Sequence, residues 1–184
     1  HLHLIDRARL SCPWLDEVPA LNRDWRFADY AHMAARVGIT GALHMEADVA
    51  ERQIEAESAM VAGLMPGLML GAISSARPEA PGFAAWLERQ DRRVVKGLRR
   101  VLHVVPDEVS LAPLFRQNVA RLGKAGLPFD ICMLQRQLPL ATALADACPD
   151  TVFVLDHCGV PDMAGDFAAW AQAITDLARR PNLH

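Results

Sequence analysis

Short runs of β-branched and other apolar residues alternate with helix-length amphipathic segments from one end of this sequence to the other. The periodicity predicts strands at 1–5, 41–46, 68–74, 94–105, 127–133 and 151–157. It predicts helices at 27–37, 51–64, 82–90, 110–124, 139–147 and 166–179. Gly38 and Gly126 stand where left-handed caps would end two helices, and Ser110 where a side-chain cap would begin one. Strands that alternate with helices build βαβ units on a parallel sheet. Six such units are readable, with the start of a seventh strand at 182–184.

An open five-stranded sheet of flavodoxin type is the ordinary solution at 184 residues. No glycine-rich phosphate loop follows any strand, however, and the sixth unit is left over. A closed barrel of eight units takes ~250 residues, about 66 more than here. The expected fold is therefore α/β: a (β/α)8 TIM barrel of which this chain supplies about six βα units and the start of strand seven. Residues 1–184 are expected to form a single, incomplete domain, cut into at the front by a few residues and at the back by one or two units.

Composition narrows the function classes. Lys and Arg number 19 against 22 Asp and Glu, a formal net charge of −3, so no basic stripe invites nucleic acid or an anionic membrane. Hydrophobic residues are 52% and charged residues 22% of the chain, the profile of a globular core. No apolar run reaches membrane-spanning length, and no charged-then-apolar secretory leader is read in residues 1–184, so a secretory route is not expected. The four cysteines, Cys12, Cys132, Cys148 and Cys158, form no CxxC pair, which points to reduced thiols and a cytoplasmic protein. A small-molecule substrate is the expected partner, with a homo-oligomer left open.

Candidate site residues sit at strand ends. Strand alternation puts His1 and His3 on one face, where two imidazoles can bind one metal ion or one substrate oxygen; a frayed end or tag remnant is the alternative. His157 closes the sixth strand, and in a parallel barrel the carboxyl ends of strands converge on one mouth. His1, His3 and His157 are thus expected around one pocket. Arg99 and His103 share a parity on the fourth strand and are expected to face the axis as substrate recognisers. The alternative for Arg99 is an internal ion pair with Glu46 or Asp130. Arg100 falls on the opposite face, where solvation among helices is expected. Arg136, just past strand five, is a second candidate clamp or a surface residue. Asp130 and Cys132 share an inward face. Met60, Met65 and Met69 read as core filling, Trp86 and Trp170 as packing on the outer wall. Ser74 and Ser75 lack a nucleophile elbow.

Several stretches together resemble the lactonase-type branch of the amidohydrolase superfamily, the amidohydrolase 2 proteins. They are His1-Leu2-His3, Pro13-Trp14-Leu15 with Asn22-Arg23-Asp24, residues 97–103, Leu127-Pro128-Phe129-Asp130, Arg136-Gln137-Leu138-Pro139, and the run from Val154 to Pro161 with Asp156-His157-Cys158-Gly159 at its centre. That branch contains sugar-acid lactonases and 2-pyrone-4,6-dicarboxylate hydrolase. The resemblance implies a last-strand aspartate as general base, which residues 1–184 do not include, and histidines of strands one and six that polarise the carbonyl. General-base help is typically worth ~10² to 10⁴ in rate, an oxyanion donor ~10² to 10³. His1, His3 and His157 could instead hold one divalent metal ion such as zinc, leaving a position open; metal-free members are also implied. Some members carry Lys where this chain has Val160, so no role for that lysine transfers. Two other readings stand beside hydrolysis: a metal-dependent decarboxylase or hydratase of the same superfamily, and an inactive barrel fragment.

Overall fold

The computed structural model describes residues 1–165 and 167–184; Asp166, where the last expected helix begins, lies outside the described residues. The chain forms two compact units, the first His1–Ser75 with Asp91–Lys96, the second Ala76–Gln90 with Gly97–His184.

The first unit contains α1 (Phe27–Arg36), β1 (Ala42–Met45), α2 (Ile54–Ala62) and β2 (Met69–Ser75). β1 and β2 are parallel, with Leu43 opposite Gly71 and Met45 opposite Ile73. α1 ends as its sequence demands: Val37 caps it, and Gly38 turns the chain at φ +74°, a conformation cheap only without a Cβ. The 51–64 helix begins instead as a 3-10 turn, Glu51–Gln53. The expected first strand shrinks to a single parallel bridge, Leu2 to His44. Its extension is blocked because both backbone groups of Ile5 are committed to Trp25, at 3.1 and 2.9 Å. The core of this unit joins Leu4, Val61, Met69, Ala72 and Val94, with Met60 and Met65 packed against it. The three thioethers fill space between helix and strand, as their spacing implies.

β3 (Val95–Val101) opens in the first unit and continues in the second, which adds α3 (Phe83–Glu88), α4 (Glu108–Leu111), α5 (Pro113–Ala125), β4 (Phe129–Cys132), α6 (Leu138–Ala147), β5 (Phe153–Leu155) and α7 (Phe167–Leu177). β4 lies parallel between β3 and β5, placing Arg99 opposite Asp130 and Asp130 opposite Val154. Three fully buried rings, Phe115, Phe129 and Phe153, stack edge to face at 6.1 and 6.2 Å. The helix expected at 110–124 is two helices. Pro113 lacks an N–H and drives Ala112 into extended backbone at ψ 134°. Ser110 lies inside α4 and donates to the carbonyl of Asp107 rather than capping. Gly126 ends α5 at φ +65°, as expected. At 182–184 the chain runs parallel to β5. The amide of Phe153 donates to Asn182 O at 2.7 Å and that of His184 to Phe153 O at 2.9 Å. No helix among the described residues is long and apolar enough to cross a membrane.

Candidate active site

In the first unit His1 and His3 do come together: their Nε2 atoms stand 3.3 Å apart with the rings edge to face. The Nδ1 of His3 lies 2.9 Å from Glu46 O. A carbonyl only accepts, so Nδ1 carries the proton and Nε2 of the neutral ring presents its lone pair. Two nitrogens bound tetrahedrally to one zinc ion at ~2.0–2.1 Å stand about 3.3 Å apart. The pair therefore fits two of the four positions around such an ion. No group of three or more His, Cys, Asp and Glu with metal-binding geometry occurs among the described residues.

The same unit holds a buried polar group. His44 is wholly buried on β1 and its Nδ1 accepts the amide of Leu4. Its Nε2 donates to Glu57 Oε1 at 3.0 Å, and the same oxygen accepts the amide of Ala47 at 2.7 Å. Glu57 reaches this position because Ile54, Glu57 and Val61 share the buried face of α2. Glu46, also buried, accepts the amide of Asp48 at 2.8 Å.

In the second unit Arg99 makes the internal ion pair offered as its alternative, with Asp156 as a partner. Its guanidinium donates to Asp156 Oδ2 at 3.0 Å, with the side chains 5% and 2% exposed. A buried guanidinium demands a carboxylate, and Asp156, one strand beyond Asp130, supplies it. Asp130 is buried beside the pair, and its Oδ1 meets no hydrogen-bond donor among the described residues. Burial above all, with the nearby Asp156 carboxylate adding to it, pushes the acid up to about 7 against the pull of Arg99. At neutral pH this carboxyl is divided between its two forms.

His103 lies past the end of β3, and Cys132 Sγ sits 3.5 Å from its Nδ1. Arg136 is exposed and pairs with Asp107 at 2.7 Å, while Gln137 donates to the other oxygen of the same carboxylate. Together, Arg136 first, they hold Asp107 below the usual carboxylate range. Arg100 departs from expectation: it is buried, not solvated, and pairs with Glu79 at 2.8 Å.

His157 does not close a strand. β5 stops at Leu155, and His157, Cys158, Gly159 and Val160 all take left-handed backbone, φ +53°, +53°, +71° and +44°. Left-handed backbone costs a non-glycine residue roughly 1–2 kcal/mol, so such a run persists only where neighbours over-determine it. The amide of Val160 donates to His157 O at 3.0 Å, and the indole of Trp170 donates to Cys158 O at 2.8 Å. The turn leaves His157 exposed, directly after the buried, ion-paired Asp156.

Sequence reasoning passed over Asp156 and Glu57. Asp156 shares the parity of Val154, which pairs with Asp130, whereas the expectation had put His157, of the other parity, at the mouth. Glu57 was visible as a carboxylate between Ile54 and Val61 at helical spacing. The left-handed turn had only Gly159 as its signal.

The model of the amidohydrolase family matches residues 1–184. Over 118 residues the chain is 29% identical to the L-fucono-1,5-lactonase of Burkholderia ambifaria, covering 63% of this chain and 40% of that protein. An amidohydrolase from Burkholderia multivorans with bound zinc superposes with a TM-score of 0.85 at 23% identity, over 98% of this chain and 65% of its own. A candidate 2-pyrone-4,6-dicarboxylic acid hydrolase from Pseudomonas putida superposes with a TM-score of 0.69 at 21% identity, over 100% of this chain and 65% of its own. The chain thus spans about two thirds of the length of these solved structures. Its fold is that of the TIM-barrel amidohydrolases, of which it supplies five parallel strands with their helices, one strand fewer than the sequence predicts.

Proposed function

The chain belongs to the amidohydrolase family, and we propose that its protein is a hydrolase that opens a small lactone by water attack on the ring carbonyl. One observation carries the reading: the 3.3 Å approach of the His1 and His3 Nε2 atoms, with the His3 tautomer fixed by Glu46 O. Two imidazole nitrogens so presented can polarise one carbonyl oxygen as charge develops on it. Likeness to an L-fucono-1,5-lactonase supports a lactone as the bond opened.

His1, His3 and His157 are the proposed catalytic residues, and the same three are the proposed ligands should a divalent ion serve. When bound, such an ion supplies Lewis-acid polarisation and a water of lowered pKa. The chain's own residues fix what comes before that: Glu46 O sets the His3 tautomer, and the His44–Glu57 pair, through Leu4, holds the backbone beside it. His103 and Arg136 are the proposed contacts to polar groups of the substrate, Arg136 through a guanidinium that already shares Asp107. Arg99 acts on the substrate indirectly, since its charge is met by Asp156. With that charge neutralised, a neutral polyhydroxy lactone is the proposed substrate class ahead of a dicarboxylate.

The test is acid release by the full chain from a panel of neutral sugar lactones and dicarboxylate lactones, with and without added zinc. Opening of a neutral sugar lactone supports the reading. Carbon dioxide release without ring opening, or no turnover of any lactone, rejects it.

A further inference from the structure

We infer that Trp170 is a positioning residue for His157: the indole N–H of α7 holds the left-handed turn that follows Asp156. The inference rests on the reading of His157 as an acting group. Four successive residues, 157–160, share left-handed backbone, and only Gly159 favours it by residue type. Inside the turn Val160 N–H donates to His157 O, a bond that by itself does not select left-handed backbone at three non-glycine residues. The conformation is therefore imposed from outside.

Contacts from different elements bear on it, among them one at its root and one at its tip. At the root, Asp156 is gripped by Arg99 of β3 in a pair buried from water. At the tip, the carbonyl of Cys158 accepts the Trp170 indole at 2.8 Å. Trp170 is itself set by α7 and by the ring of Phe167, with centroids 4.7 Å apart. Packing on an outer wall accounts for the ring of Trp170 but not for its N–H, which is spent on a backbone carbonyl beside the proposed catalytic histidine. With the tip released, nothing in the residue types of 157, 158 and 160 keeps them left-handed, and the His157 side chain moves with its backbone.

Trp170→Phe keeps a ring in place and removes the donor. In the full chain, amide hydrogen exchange read by NMR is expected to accelerate about fivefold at Val160, the equivalent of one ordinary hydrogen bond. The amides of Phe129 and Phe153, buried in the sheet, are expected to keep their rates. On a lactone that the protein opens, kcat is expected to fall about as much with KM unchanged within about twofold. Asp156→Asn, which loosens the root instead, is expected to accelerate Val160 before the sheet amides. Unchanged exchange at Val160 in Trp170→Phe, equal acceleration at all three amides, or an unaltered kcat overturns the inference. His157→Ala separates the two ideas: undiminished lactone opening in that variant defeats the catalytic reading of His157, whereas the exchange at Val160 reports on the clamp alone.

Discussion

Arg99 donates to Asp156 across 3.0 Å with both side chains almost wholly out of water. The charge on Arg99 is thereby met inside the protein, and the pair ties β3 to the residue that immediately precedes His157.

Breaking that pair from one side strands the other charge in the core. Arg99→Ala or Asp156→Ala is expected to cost ~3–5 kcal/mol, read as a lower urea midpoint with the slope unchanged. Arg99→Lys is expected to reduce turnover of anionic and neutral lactones alike. A loss confined to carboxylate-bearing substrates would return Arg99 to direct recognition.

Asp130 gives stability a pH dependence of unusual sign. Its acid is raised from the ordinary carboxylate value of 3.8 to about 7, so between those values the native state holds a proton that the unfolded chain has released. Its contribution is fully present below the unfolded value and is lost as pH rises through about 7. Wild type is expected to lose a few kcal/mol from this group between the two values. Asp130→Asn, neutral at every pH, is expected to flatten the urea midpoint against pH across that window.

Glu57 shows how a buried acceptor differs from a buried charge. Glu57→Gln retains an oxygen for both His44 Nε2–H and the Ala47 amide and is expected to cost about 1 kcal/mol or less. Glu57→Ala leaves both donors unpaired and is expected to cost ~2–4 kcal/mol. Equal costs would show that the carboxylate's charge, not its geometry, holds the site.

These features divide by the range of the forces behind them. Elements with a local cause were legible: α1 stops at Gly38, α5 stops at Gly126, and the strands that became β1 to β5 stand where β-branched runs predict them. The alternation itself announced the barrel class. Features set by tertiary partners were not legible. Parity put Arg99 inward and offered an ion pair, yet Asp156, which lies just past the end of β5, was not legible as a partner. Arg100 was expected in solvent because its face points toward helices, and Glu79 draws it into a buried pair there. His157 was expected at a strand end by apolar pattern, whereas Trp170 and Arg99 act on that segment from far along the chain.

The His1–His3 pair makes a claim about metal that does not depend on turnover. With a chromophoric chelator as competitor, the full chain is expected to take up zinc, and His3→Ala to weaken uptake by at least about tenfold. Identical uptake in both proteins would leave the pair without a metal role, though not without one toward a carbonyl oxygen.

The proposed function assigns His1, His3 and His157 to the opening of one lactone carbonyl. Its most direct test is the rate of acid release from a neutral sugar lactone by wild type, His3→Ala and His157→Ala, each verified as folded. Each substitution is expected to lower kcat by about 10² to 10³, and the double variant to lose little more than the worse single one, because the groups work as a unit. Wild-type rates in either single variant, or losses that multiply in the double, would contradict the account.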